Sequence, residues 1–128
     1  MNRCQIGIDL VDVAEVAETL RSPIGARYLM RVFTEYEVRD CTRTHQVDPS
    51  RLASRFAAKE ATMKVLRVTD GHGVFWKAIE VRRAAGGDLT LVLRGTAATL
   101  ACAAGLSHFT VSLTHNRTLA SAIVVARG

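Results

Sequence analysis

The chain has 128 residues, of which 48% are apolar, and this predicts one domain spanning residues 1–128 around a buried core. Its formal net charge of +5 favours an anionic partner, such as a phosphorylated small molecule, an acidic protein or a nucleic acid. Aromatic residues make up only 5% of the chain and the basic residues form no run, which argues against nucleic acid.

The cysteines give no sign of a disulfide framework or a zinc site. Cys4, Cys41 and Cys102 are widely spaced and odd in number, which favours a reducing compartment. No stretch approaches the roughly 20 apolar residues of a membrane span, and the N-terminus leads directly into a short apolar run. We therefore expect a cytoplasmic protein that contacts no membrane.

The first predicted element is a strand. Apolar residues alternate over residues 4–11, and Asp9 points away from the strand's main apolar face. That face consists of Cys4, Ile6, Ile8 and Leu10. Helical spacing then predicts a short helix over residues 13–20, which the sequence Ser22-Pro23-Ile24-Gly25 interrupts.

Two helix start signals follow. Thr34 and Glu37 have the spacing of a capping box, in which each side chain bonds the other residue's backbone amide. The sequence Asp48-Pro49-Ser50 combines an N-cap candidate with a proline suited to the first turn. It predicts a long helix over residues 51–66.

The second half of the chain predicts two hairpins with a helix between them. Residues 75–83 and 89–94 alternate like strands, joined across Gly86-Gly87-Asp88. An alanine-rich helix over residues 96–104 ends at Gly105.

The last two strands are predicted over residues 109–113 and 119–126, with a turn at His115-Asn116-Arg117-Thr118. Strands joined by tight turns run antiparallel. The order of elements therefore predicts an α+β fold in which helices pack on a largely antiparallel sheet.

Glu60 and Lys64 stand four residues apart on the predicted long helix and so share one helix face. Beside them runs a stripe of small residues, which would let the strand end bearing Asp9 approach closely. The stripe consists of Ala53, Ala57 and Ala61. Two carboxylates with an ammonium nearby can hold Mg²⁺ and stabilise a phosphate.

The alternative is an ordinary exposed Glu60–Lys64 pair, worth about 0.3 to 0.5 kcal/mol, with Asp9 capping the next helix. Lysine usage favours the site. Fourteen of the 17 basic residues are arginines, and two of the three lysines, Lys59 and Lys64, flank Glu60. Since lysine offers a more compact cation than arginine, this pattern indicates a need for an ammonium, with chance as the competing explanation.

Four segments in order resemble the holo-acyl-carrier-protein synthase family. They are IGIDLV at 6–11, RFAAKEATMK at 55–64, WKAIEV at 76–81 and VSLTH at 111–115. The first two are specific in combination, and together the four span nearly the whole chain. The resemblance implies a 4′-phosphopantetheinyl transferase fold and a homotrimer with active sites at its subunit interfaces. The implied reaction moves 4′-phosphopantetheine from coenzyme A to a serine of an acyl carrier protein and releases 3′,5′-ADP.

The resemblance also implies catalytic roles. Asp9 and Glu60 match the residues that hold Mg²⁺ against the pyrophosphate. Lys64 matches a residue that contacts phosphate and assists the leaving 3′,5′-ADP. Glu60, directly or through a bound water, would help to deprotonate the carrier serine.

Further residues match coenzyme A contacts. His115 and Asn116 match positions near the 3′-phosphate, and Arg55 matches another phosphate contact. The alternative for His115 is a solvent-exposed residue at the end of a hairpin.

Three stretches depart from the family pattern. Members usually carry a basic pair that contacts the carrier's acidic helix, and here the matching stretch is Val13-Ala14-Glu15-Val16. Arg21, Arg27 and Arg31 remain available as a basic surface. The loop over residues 67–73 lacks the usual Gly-Thr-Gly character, so we expect different contacts to coenzyme A. The turn Gly86-Gly87-Asp88-Leu89 lacks the usual proline.

The leading hypothesis is therefore a Mg²⁺-dependent transferase. A homologue that binds coenzyme A or a carrier protein without catalysis is the first alternative, motivated by the altered docking stretch and loop. A small basic nucleic-acid-binding domain is the second, motivated only by the net charge.

Overall fold

The structure is a computed structural model that describes residues 3–69 and 73–128, so the predicted loop contacts at residues 70–72 lie outside the described part. Its elements are β1 (Cys4–Asp12), α1 (Val13–Arg21), α2 (Gly25–Val32), α3 (Glu35–Asp40), β2 (Thr42–Arg43), β3 (Gln46–Val47), α4 (Pro49–Leu66), a 3₁₀ helix (Trp76–Ala78), β4 (Ile79–Arg83), β5 (Leu89–Leu93), α5 (Gly95–Ala103), β6 (His108–His115) and β7 (Leu119–Arg127). Helices and antiparallel strands confirm the α+β prediction. Within these residues no helix is both long and apolar enough to cross a membrane.

The main sheet has the order β1-β7-β6 and is antiparallel throughout. The N-terminal strand therefore pairs with the C-terminal strand, and Asp9 lies opposite Ala122. The hairpin of the last two strands is confirmed, although β6 runs longer than predicted. The pairs β2–β3 and β4–β5 form two small separate sheets.

Helix α4 packs on this sheet through its smallest side chains. Ala53, Ala57 and Ala61 are fully buried. Opposite them lies Gly7 of β1, where an added Cβ would stand 2.2 Å from the carbonyl oxygen of Ala61. The two backbones therefore approach more closely than any larger side chain allows, and Asp9, on the same strand face as Gly7, reaches the helix.

Helix α4 begins two residues earlier than predicted and ends at the predicted residue. The Asp48 carboxylate accepts a hydrogen bond from the Ser50 amide at 2.9 Å, and Pro49 occupies the first turn. After Leu66 the chain turns at Arg67, which adopts the left-handed conformation with φ of 54°.

The predicted capping box at the start of α3 is present. The Glu37 amide donates to the Thr34 hydroxyl at 3.2 Å, and the Thr34 amide donates to the Glu37 carboxylate at 2.9 Å. Both bonds satisfy backbone groups at the start of the helix.

Helix α2 was not predicted. Its first residue, Gly25, follows the proline break so closely that an added Cβ would stand 2.2 Å from the Leu20 carbonyl oxygen. The sequence around Ser22 therefore separates two helices that pack together, rather than a helix from a loop.

The prediction of a strand beginning at residue 75 was wrong, since Trp76–Ala78 forms a 3₁₀ helix and β4 begins at Ile79. The buried ammonium of Lys59 on α4 donates a hydrogen bond to the carbonyl of Trp76, and residues 76–78 precede the first strand pair, Ile79 with Leu93. The carbonyl of Ile79 also accepts a hydrogen bond from Lys59. The hairpin through residues 84–88 and the helix before Gly105 agree with the prediction to within one residue.

The predicted main apolar face of β1 is solvent-exposed in the single chain. Ile6, Ile8 and Leu10 are 64%, 61% and 62% exposed, and Ile123 of β7, paired with Ile8, is 39% exposed. The opposite face carries Asp9 and packs on α4. The small residues of α4 accommodate only a face without large side chains, which leaves the large ones outside.

Candidate active site

Asp9, Glu60 and Lys64 come together where β1 passes over α4. The Lys64 ammonium lies 2.9 Å from the Asp9 carboxylate and donates a second hydrogen bond, of 3.0 Å, to the carbonyl oxygen of Ile8. The Asp9 side chain is only 13% exposed, whereas that of Lys64 is 57% exposed. The strand end and the helix thus place an anchored acid beside an accessible ammonium.

The Glu60 carboxyl group interacts directly with Asp9. Burial raises the pKa of Glu60, and the negative charge of Asp9 and a hydrogen bond shared with it raise that pKa further, while Lys64 lowers it. Two carboxylates beside one ammonium give the site a net negative charge, which favours a cation. Within residues 3–69 and 73–128 no group of three or more His, Cys, Asp or Glu side chains could hold a metal, so a cation here would have two protein carboxylates.

Arg55 lies apart from this cluster. It stands five residues before Glu60 on α4, which is about 140° around the helix. Its side chain is 5% exposed and donates to the Asp40 carboxylate at 2.8 Å. Its Nε has no hydrogen-bond partner among the described residues.

His115 and Asn116 lie where the β6–β7 hairpin turns. The sheet register puts His115 on the same face as Asp9 but across the intervening strand, about 12 Å away at the usual strand spacings. Its side chain is exposed. The Asn116 side-chain oxygen accepts hydrogen bonds from the amides of Thr118 and Leu119 at 2.9 and 2.8 Å, which closes the turn.

The sequence and the fold of the chain both match known proteins. A model of the 4′-phosphopantetheinyl transferase superfamily matches residues 5–123. The holo-[acyl-carrier-protein] synthase of Frankia alni is 43% identical over 94% of both chains, and that of Koribacter versatilis is 40% identical over 92% of this chain and 94% of its own.

Solved structures show the same likeness. The Mycobacterium tuberculosis acyl carrier protein synthase is 30% identical, with a TM-score of 0.70 over 95% of both chains. The Chronobacterium ammoniagenes ACPS-CoA complex is 27% identical, with a TM-score of 0.81 over 97% of this chain and 96% of that one. The chain belongs to the 4′-phosphopantetheinyl transferase superfamily.

For this superfamily member, the structure adds Tyr28 to the candidate site, a residue that sequence reasoning missed. Burial raises the pKa of Tyr28 to about 12, and the nearby charge of Glu60 contributes to the rise. The phenol therefore stays protonated at neutral pH. Tyr28 lies on α2, the helix that was not predicted, so no signal in the sequence connected it with Glu60.

Tyr28 also lines a cleft of about 740 Å³ between α2 and residues 74–76, which we call the α2 cleft. Arg27 and Arg31 make one wall basic, and Phe75 and Trp76 form the other. The two arginines belong to the basic surface that the sequence predicted. Two arginines in a mostly apolar lining suit an anionic partner.

The stretch that departs from the superfamily's basic pair begins α1. Val13 and Val16 are buried there, whereas Ala14 and Glu15 are exposed. This helix therefore displays an acidic side chain at the surface, and the basic surface lies on the neighbouring helix α2.

A second missed feature is a buried ion pair behind the site. Lys59 and Glu37 are both fully buried, with 2.8 Å between the ammonium and the carboxylate. The sequence indicated Lys59 only as a neighbour of Glu60, because no local pattern shows which acid forms an ion pair with it.

Proposed function

We propose that the chain transfers 4′-phosphopantetheine from coenzyme A to a serine of an acyl carrier protein and releases 3′,5′-ADP. The observation that carries this proposal is the contact of Asp9, Glu60 and Lys64 in a chain of this superfamily. Relatives 40% and 43% identical are named holo-[acyl-carrier-protein] synthase, and a complex 27% identical in sequence contains coenzyme A.

Asp9 and Glu60 would hold Mg²⁺. Their contact in a partly buried position, with a net negative charge beside Lys64, fits a small cation that takes one or two protein carboxylates. When bound, Mg²⁺ would offset negative charge on the pyrophosphate oxygens of coenzyme A.

The residues of the chain supply the remaining chemistry. The serine oxygen forms a bond to the phosphorus that carries pantetheine, and the bond from that phosphorus to the bridging oxygen of 3′,5′-ADP breaks. Glu60 accepts the serine proton, directly or through a bound water. The exposed ammonium of Lys64 stabilises the charge that develops on the leaving phosphate.

His115, Asn116 and Arg55 would bind the phosphates of coenzyme A. An exposed imidazole at the hairpin end can donate to a 3′-phosphate. Arg55 would have to exchange its Asp40 partner for a phosphate oxygen, because its side chain is only 5% exposed. Both side chains stand away from Glu60 within one chain. This separation supports a site to which neighbouring copies contribute.

The proposed assembly is the homotrimer that the family resemblance implies. Its support is the apolar sheet face formed by Ile6, Ile8, Leu10 and Ile123, which is too contiguous to be an ordinary exposed surface. Leu10 also borders a small cleft with His115 and Asn116. A copy covering this face would reach the proposed coenzyme A contacts.

The acyl carrier protein would dock on α2. Arg27 and Arg31 offer positive charge, and Ile24 and Met30 beside them are 55% and 70% exposed. This combination suits an acidic helix with an apolar stripe.

The test measures Mg²⁺-dependent labelling of a panel of apo-carrier proteins by coenzyme A, with 3′,5′-ADP release as a second readout. Asp9→Ala and Glu60→Ala are expected to lower the rate by at least about a thousandfold while circular dichroism shows an intact fold. Glu18→Ala, an exposed acid on α1, is the matched control and should keep full activity.

Full labelling by both site variants would refute the proposed site. Binding of coenzyme A by the unmodified chain without 3′,5′-ADP release, whichever carrier is supplied, would instead assign a binding role. The observation that favours this binding role is the exposed Glu15 in place of the usual basic pair.

A further inference from the structure

The buried ion pair of Glu37 and Lys59 makes several hydrogen bonds to other parts of the fold. The Lys59 ammonium donates to the Glu37 carboxylate at 2.8 Å, to the Trp76 carbonyl at 3.1 Å and to the Ile79 carbonyl. It also lies 5.6 Å from the centre of the Phe33 ring. All three ammonium protons therefore have acceptors, two of which belong to one short backbone segment.

The Glu37 carboxylate also accepts hydrogen bonds from other parts of the fold. Besides Lys59 it accepts hydrogen bonds from the amides of Thr34 and Val81, each at 2.9 Å. Its two oxygens thus join the start of α3 to strand β4, while Lys59 joins both to α4. Burial lowers the pKa of Lys59 and the Glu37 carboxylate counteracts that effect, so the two charges depend on each other.

Trp76 is bonded to this network through its carbonyl group. It lines the α2 cleft together with Tyr28, and it lines a second cleft of about 360 Å³ together with Met63 and Val68 near the end of α4. Its ring centre lies 5.1 Å from that of Phe56 on α4. Trp76 therefore forms a wall between the two clefts, against the face of α4 on which Phe56, Glu60 and Met63 lie.

Fold stability alone is a weak reason for such a pair, because a buried ion pair is often no more stabilising than apolar residues of similar volume. The carbonyl of Trp76, in contrast, belongs to a 3₁₀ helix without a strand partner. We propose that Glu37 and Lys59 are positioning residues, which hold the Trp76 wall against α4 so that the smaller cleft, lined by Met63, Val68 and Trp76, fits coenzyme A. The identity of that substrate rests on the proposed function.

Fluorescence can test the position of the wall directly, since Trp76 is the chain's only tryptophan. The main variant is Glu37→Gln/Lys59→Met, which removes both charges and leaves no isolated buried ion. We expect it to fold, with Trp76 emission at longer wavelength and quenching by acrylamide about twofold stronger. We also expect KM for coenzyme A to rise about tenfold while kcat changes less than about threefold.

Lys77→Met is the matched control, because it removes an exposed lysine from the same 3₁₀ helix and should change none of these readouts. Glu37→Asp is a second variant, which keeps both charges but is one methylene too short to reach all of its partners. It should shift the emission and KM in the same direction by a smaller amount.

A folded double variant with the emission, quenching and KM of the unmodified chain would overturn the proposal, because the pair would then be structural only. If the double variant does not fold, unchanged emission and KM in Glu37→Asp would overturn it equally. Absence of transferase activity in the unmodified chain would defeat the proposed function alone, since Trp76 emission and quenching still test the position of the wall.

Discussion

Gly7 and Ala61 show how single residues set the geometry of the candidate site. A hydrogen atom in place of a side chain at Gly7 lets β1 contact the backbone of α4, and this contact brings Asp9 to Glu60. Alternation in the sequence predicted which face Asp9 occupies. The alanine stripe predicted a close approach, but not that Gly7 would be the point of contact, because that depends on where the helix crosses the strand.

Gly7→Ala is therefore expected to lower the free energy of unfolding by about 1 to 3 kcal/mol, since the new methyl group overlaps the Ala61 carbonyl. Activity should fall further than stability, because the strand must move away from Glu60. Urea denaturation and the labelling rate check this. Gly86→Ala is the control, as an added Cβ there contacts nothing within 4 Å, and a loss as large as that of Gly7→Ala would contradict the explanation.

Cys41 gives a second prediction at this scale. Burial raises the pKa of its thiol to about 12, with the nearby acids Asp40, Glu37 and Asp48 raising it and Arg55 lowering it. At pH 9 an ordinary thiol is about three-quarters ionised, whereas Cys41 remains protonated and unreactive.

We expect iodoacetamide at pH 9 to modify Cys102, which is exposed, and to spare Cys41 until the chain is unfolded in urea. Peptide mass spectrometry identifies the labelled residue. Because the pKa of Cys41 is raised in the folded state, its protonated thiol stabilises the fold below pH 9. This contribution to the free energy of unfolding is lost as the pH rises toward 12. Rapid labelling of Cys41 in the folded protein would contradict the prediction that burial protects its thiol.

At the scale of elements, helix α2 contributes most of what the sequence did not indicate. It carries Tyr28, whose pKa the charge of Glu60 helps to raise, and two arginines of the α2 cleft. The sequence predicted Arg27 and Arg31 as a basic surface but no helix to carry them. A short segment after a proline break gives a weak helical signal, and packing against α1 supplies the stability that the signal lacks.

Charge reversal on α2 tests its proposed role. Arg27→Glu/Arg31→Glu should raise KM for the carrier protein about tenfold or more and leave KM for coenzyme A within about twofold, because only the carrier offers an acidic helix. The measurement is steady-state labelling with each substrate varied in turn. Arg43→Glu, on the exposed strand β2, is the control, and equal effects of both changes on the carrier would point to net charge rather than docking.

For the whole molecule, the apolar sheet face is the feature that a single chain leaves unexplained. Ile8 is 61% exposed and pairs with Ile123 in the centre of that face. The sequence pattern identified this face of β1 correctly as its apolar one. The sequence could not indicate that α4 covers the other face, since a strand has no preference for either side until its partners are present.

Ile8→Lys is expected to convert the proposed trimer to monomers, because a charge at the centre of an apolar interface remains unpaired. Light scattering after size-exclusion chromatography measures the assembly, and labelling should be lost together with it. Met30→Lys, an equally exposed apolar position on α2, should leave the assembly unchanged. A monomeric unmodified chain with full activity would refute both the trimer and the shared site.

The resemblance and the residue spacing together predicted the α+β class, the long helix, the final hairpin and the residues Asp9, Glu60 and Lys64, because these follow from local periodicity and local motifs. The cytoplasmic location stays a prediction. Tertiary structure alone decided the start of β4, the place of Tyr28 and the partner of Lys59. These depend on contacts between residues far apart in the chain, such as Glu37 with Val81, and no local pattern of side chains determines which distant groups meet.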